Sequence, residues 1–89
     1  MESGNSVTCT NHYDIAVTLN NLAALQHARG QSRSAQRYYR NALAMKERLL
    51  GPRHVDVALT LNNLAVLKAD LGQNEAAADL YARALDIFG

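Results

Sequence analysis

The chain has 89 residues, 48% of them hydrophobic, a formal net charge of +1 and a single cysteine, which limits it to one small domain. Because Cys9 is the single cysteine, no intrachain disulfide can form, and we interpret Cys9 as an incidental free thiol. No segment holds the roughly 18 consecutive apolar residues of a membrane span. Residues 1–11 lack the basic and apolar regions of a secretory signal. We therefore expect a soluble, cytoplasmic protein with no membrane partner, and the small net charge argues against general nucleic-acid binding.

One segment of the sequence occurs twice. HYDIAVTLNNLA at 12–23 reappears as HVDVALTLNNLA at 54–65, an offset of 42 residues. Repeats of this length indicate a solenoid, in which each unit buries its apolar face against its neighbours. The predicted organisation is a flexible N-terminal tail (1–11), a first repeat with its linker (12–53) and a second repeat that is short at its C-terminus (54–89).

Four helices are predicted from apolar residues spaced three and four apart. In chain order they span about 14–29, 33–50, 55–71 and 74–88. Gly30 and Gly72 suit left-handed C-terminal caps, and Gly51-Pro52 ends the second helix. Ser32 and Asn74 suit the starts of the helices that follow the tight turns.

One side of each helix is predicted to face the core. Alanines such as Ala23 and Ala65 let the two helices of a repeat approach closely. The inward stripes comprise Ile15, Leu19, Leu22 and Leu25, then Ala35, Tyr39, Ala42 and Leu43, then Val57, Leu61, Leu64 and Leu67, and finally Ala77, Tyr81, Ala84 and Leu85.

The pattern of large, small and aromatic residues resembles the tetratricopeptide repeat. It is carried by Leu19, Leu22, Ala23, Gly30, Ala35, Tyr39 and Ala42, and again by Leu61, Leu64, Ala65, Gly72, Ala77, Tyr81 and Ala84. The 42-residue period, the repeated Leu-Asn-Asn-Leu-Ala and the linker at 49–58 look like the subclass found in kinesin light chains. The resemblance implies an all-α fold: two tandem helix-turn-helix units, four antiparallel helices, in a right-handed solenoid segment.

The resemblance also implies a concave groove that binds a peptide or protein segment. Its positions fall on Val17, Asn20, Ala24 and His27 in the first helix and on Leu59, Asn62, Val66 and Asp70 in the third. Asn20 and Asn62 are the strongest candidates, because a carboxamide both donates to and accepts from a peptide backbone. The alternative is that these asparagines only bond to adjacent helices.

Charge is distributed unevenly along the chain. Residues 29–53 hold seven basic side chains and one acidic one, whereas residues 54–89 hold two basic and five acidic ones. Arg33, Arg37 and Arg40 share one helical face. We interpret this basic surface as a solvated convex side; the alternatives are docking of acidic segments and contact with a nucleic-acid backbone.

No catalytic, cofactor or metal site is predicted. His12 and His54 occupy equivalent positions where they precede or cap a helix, and His27 has no second ligand at metal-binding spacing. The sequence therefore predicts a noncatalytic interaction module. Two alternatives remain: a self-assembling unit that pairs head to tail or by swapping helices through exposed end helices, and an interaction arm of a larger signalling protein.

Overall fold

The computed structural model describes residues 11–89, so residues 1–10 of the predicted tail (1–11), Cys9 among them, lie outside the described residues. Four helices follow one another: α1 (His12–Ala28), α2 (Ser32–Leu50), α3 (Val55–Asp70) and α4 (Asn74–Phe88). The all-α prediction is confirmed, and each helix begins and ends within two residues of its predicted limits. Within this part of the chain, no helix combines the length and the apolar character that crossing a bilayer requires.

Glycines with positive φ end the first three helices. Gly30 and Gly72 have φ of 79° and 80°, and Gly51 has φ of 93°. A side chain is strained in this region of backbone conformation, which explains why glycine stands at each position. The predicted caps at Gly30 and Gly72, and the stop at Gly51-Pro52, are confirmed.

Ser32 and Asn74 start the helices that follow the tight turns, as predicted: each is the first helical residue. The N-cap residues are Gln31 and Gln73, and neither makes a side-chain cap bond. The turn itself joins the two helices closely. The Gln31 N–H donates to the Gln26 carbonyl at 2.8 Å, so the same residue that closes one helix also begins the next.

Helices α1 and α3 do have side-chain caps. Asn11 Oδ1 accepts from the Asp14 N–H at 2.9 Å, and His54 Nδ1 accepts from the Asp56 N–H at 3.0 Å. Each cap satisfies one of the backbone donors left free at a helix start. The predicted capping role is therefore confirmed for His54, whereas His12 is the first residue of α1 and follows its cap.

Helix α3 contributes to both parts of the core. One cluster joins the two repeats and contains Ala23, Ala35, Tyr39, Leu64 and Leu67. The other consists of Val57, Ala58, Leu61 and Ala84, with Leu43 of α2 packed against it. Because α2 and α4 both cover α3, the apolar side chains on the covered side of that helix, such as Val57, Leu61 and Leu67, are fully buried.

Four residues of the predicted inward stripes are exposed instead: Ile15 (39%), Leu25 (52%), Tyr81 (38%) and Leu85 (69%). They lie on α1 and α4, the two end helices of the stack. An end helix has neighbours on one side only, so positions that are buried in α2 or α3 face solvent there. Sequence periodicity identifies the stripe but not whether a neighbour covers it.

Ala65 tests the packing of α3. Its side chain is fully buried, so Ala65→Leu should overpack the core and lower the free energy of unfolding by about 1–3 kcal/mol. The control is Ala69→Leu, an exposed position on the same helix, which should change stability by less than about 0.5 kcal/mol. Thermal unfolding followed by circular dichroism measures both, and an unchanged midpoint for Ala65→Leu would contradict the packing.

Candidate interaction surface

Helices α1 and α3 lie side by side and run in the same direction. Near their N-termini the Tyr13 hydroxyl donates to Asp56 Oδ2 at 2.6 Å, and near their C-termini His27 Nε2 lies 2.6 Å from Asp70 Oδ2. Contacts that join start to start and end to end require parallel helices. The first helices of the two repeats therefore form one continuous surface.

The eight predicted groove residues are distributed over this surface. Val17, Asn20 and His27 of α1 are half-buried and Ala24 is exposed; on α3, Asn62 is half-buried while Leu59, Val66 and Asp70 are exposed. We call these eight residues the A-helix face. Of them, the structure brings His27 and Asp70 into direct contact.

The two asparagines differ in their surroundings. Asn20 Oδ1 lies 3.4 Å from the Thr60 hydroxyl of α3. Asn62 makes no side-chain hydrogen bond to any other residue of 11–89, so within this range both the donor and the acceptor of its amide are unpaired. The alternative considered for both asparagines was a bond to an adjacent helix. Within 11–89, Asn20 makes such a contact and Asn62 does not.

A buried lysine beside this surface was missed by the sequence analysis. Lys46 of α2 is 6% exposed, and its Nζ donates to the Thr60 hydroxyl at 3.1 Å. That hydroxyl has one proton, which it gives either to the Asp56 carbonyl at 3.2 Å or to Asn20 at 3.4 Å. One signal was present in the sequence: the equivalent position of the second repeat is Phe88, an apolar residue.

Burial and hydrogen bonding shift three pKa values. Burial lowers the pKa of the Lys46 ammonium, and the charge of Asp56 partly opposes that shift. The hydrogen bond to Asp56, and then the charge of that carboxylate, raise the pKa of Tyr13. Burial raises the pKa of Tyr39. All three shifts disfavour the charged form of the side chain, and Lys46 is the one of the three that is ordinarily charged at neutral pH.

The basic surface lies on α2. Arg33, Arg37 and Arg40 are all exposed, and none forms an ion pair with another residue of 11–89. Elsewhere in that range, Arg53 binds the side chain and the carbonyl of Asp86 at 2.6 and 2.7 Å. A solvated surface, the first interpretation, agrees with this exposure.

Nothing in the described part of the chain gathers three or more His, Cys, Asp or Glu side chains into a possible metal site. The His27–Asp70 contact supplies two such groups, fewer than the three protein ligands typical of a catalytic zinc site. The surface offers amide, imidazole, carboxylate and aliphatic groups, which suit noncovalent binding.

Tandem helical hairpins with parallel first helices define a helical-repeat protein, a class that presents extended surfaces to partners. The chain matches the sequence profile described as "Tetratricopeptide repeat" over residues 10–88, and it belongs to that family. None of the curated proteins compared with it matches. Members of the family generally mediate protein–protein interactions and are typically noncatalytic.

The variant Lys46→Met tests whether the buried charge of Lys46 destabilises the fold. Methionine keeps the long side chain without the charge, and Thr60 keeps its bond to the Asp56 carbonyl. Because the pKa of Lys46 is lowered in the folded state, the charged form of this lysine destabilises the fold. The destabilisation is fully present below the folded-state pKa and disappears as the pH rises to the ordinary value of 10.5. We expect the variant to unfold at higher urea concentration at pH 7.

The difference from wild type should shrink as the pH approaches 10.5. Tyr39 is present in both proteins, so its own titration cancels in the comparison. Urea unfolding across this pH range measures the difference; a variant less stable than wild type at pH 7, or a difference that does not change with pH, would contradict the assignment.

Proposed function

We propose that the chain binds an extended peptide or protein segment along the A-helix face and has no catalytic activity of its own. The observation that carries the proposal is Asn62, a half-buried carboxamide without a hydrogen-bond partner among residues 11–89. Exposed Leu59 and Val66 lie on either side of it, at 49% and 43% exposure. This combination offers backbone recognition between two apolar contacts.

The ligand would bind by complementarity of shape and side chains. An extended peptide presents alternating N–H and C=O groups, and one carboxamide satisfies one of each without selecting a particular side chain. Leu59 and Val66 would add burial of apolar ligand groups, and the paired His27 and Asp70 would set the polarity at one end of the face. Selectivity would come from the apolar contacts and this polar end.

The 42-residue spacing of the repeated segments supports placement in the kinesin-light-chain-like subclass. This longer spacing leaves room for the linker between α2 and α3, where Arg53 reaches Asp86 of α4. That contact fastens the linker to the second repeat. It would help to hold α1 and α3 in the parallel arrangement on which the A-helix face depends.

Asn62→Ala should weaken peptide binding. Peptides selected from a random library against the wild-type chain provide the ligands. Losing one net hydrogen bond of about 0.5–1.5 kcal/mol lowers affinity about two- to tenfold, with little change in unfolding midpoint because Asn62 holds no other residue of 11–89.

The matched control is Asn41→Ala, an exposed asparagine on α2 outside the A-helix face, which should bind the same peptides as wild type does. Isothermal titration calorimetry measures all three proteins. Equal affinities of wild type and Asn62→Ala for every selected peptide would remove Asn62 from the site.

A further inference from the structure

The contact between the two repeats shows what fits the exposed ends of the stack. Positions that are buried at the internal contact have equivalents 42 residues away in the sequence, and these equivalents are exposed at the ends of the stack. Val57 is fully buried and its equivalent Ile15 is 39% exposed; Leu67 is fully buried and its equivalent Leu25 is 52% exposed. The start of the stack thus presents the same kind of surface that α3 presents inside it.

The other end of the stack presents the complementary surface. Leu43 of α2 packs against the cluster that contains Val57 and Leu61. Its equivalent on α4 is Leu85, which is 69% exposed. Leu85 at one end and Ile15 at the other are therefore equivalent to Leu43 and to Val57, a member of the cluster against which Leu43 packs inside the chain.

From this continuity we propose that a second copy of the chain docks head to tail, with α4 and α3 of one copy against α1 of the next. The partner repeats the internal contact in place of a further repeat. Polar groups at the new contact are also compatible. Asn62 and Thr18 are equivalent to Asn20 and Thr60, so the same amide-to-hydroxyl contact is available between copies.

The charges on the second helix of each repeat favour this order of copies. Arg33 and Arg37 of α2 are equivalent by the 42-residue shift to Glu75 and Asp79 of α4. Within one copy α2 and α4 are neighbours joined by the Glu47–Arg83 ion pair. In a head-to-tail pair, α4 of one copy would lie beside α2 of the next, so basic and acidic surfaces alternate along the assembly.

Asn62 takes part in both proposals, whereas Ile15 and Leu85 belong only to the association. They are therefore the positions to test. Leu85→Glu places a charge at the C-terminal end of the stack and Ile15→Glu places one at the N-terminal end. Burying either charge without a partner is unfavourable, and both residues are exposed in the single chain, so folding should persist.

The experiment is sedimentation of the full chain over a concentration series. Wild type should gain mass as its concentration rises, and each variant alone should remain a monomer. An equimolar mixture should form a pair of two chains and no more, because one variant keeps an intact N-terminal end and the other an intact C-terminal end. Misfolded variants would not associate on mixing.

The control is Leu71→Glu, an exposed leucine whose equivalent Arg29 is also exposed, and it should associate like wild type. A wild-type chain that stays monomeric at its highest soluble concentration would overturn the proposal and leave the ends to a different occupant, such as a further repeat. Association of Leu85→Glu or Ile15→Glu alone would also overturn it, since a symmetric contact needs only one kind of end. Neither outcome bears on peptide affinity at Asn62.

Discussion

The burial of α3 between α2 and α4 is the constraint on which the rest of the structure depends. Its buried apolar side chains belong to both core clusters, and both α2 and α4 pack against each cluster. Once α3 is held there, Tyr13 reaches Asp56 and His27 reaches Asp70. These contacts set α1 parallel to α3 and so create the A-helix face. Burial of apolar surface provides most of the stabilisation, and the exposed polar contacts fix direction rather than add much stability.

Helices α1 and α3, the first helices of the two repeats, have nearly the same sequence but lie in different environments. Segments 12–23 and 54–65 are identical at nine of twelve positions, yet Val57 is fully buried whereas Ile15 is 39% exposed. The repeat, the helices and their turns could be predicted because they depend on local spacing and on glycine. Exposure at Ile15 and Leu85 could not, since it depends on whether a neighbouring helix is present.

Some details of the candidate site could likewise be predicted from the sequence, and others could not. The groove positions are implied by the family resemblance, and their role in binding stays a prediction. The sequence did not predict that Asn20 would meet Thr60 while Asn62 has no side-chain hydrogen bond within 11–89, because this depends on the position of the two asparagines relative to the end of the stack. Buried Lys46 was missed because lysine is normally exposed. Comparison with Phe88 at the equivalent position would have indicated an apolar environment.

The proposed peptide binding and the proposed association between copies both depend on surfaces of the stack that no other helix of 11–89 covers. Leu43 and Asn20, which make internal contacts, have equivalents in Leu85 and Asn62, of which Leu85 is exposed and Asn62 half-buried. The A-helix face would take a flexible ligand, and the ends would take a rigid surface of matching shape. A basic first repeat and an acidic second repeat would also favour one direction of stacking.

Amide hydrogen exchange tests the central role of α3 most directly. The near identity of 12–23 and 54–65 makes their intrinsic exchange rates closely similar, so any difference in protection reports structure. At protein concentrations low enough to keep the chain monomeric, amides at 54–65 should exchange much more slowly than those at 12–23. Equal protection of the two segments would contradict the account, because α3 would then be no better anchored than an end helix.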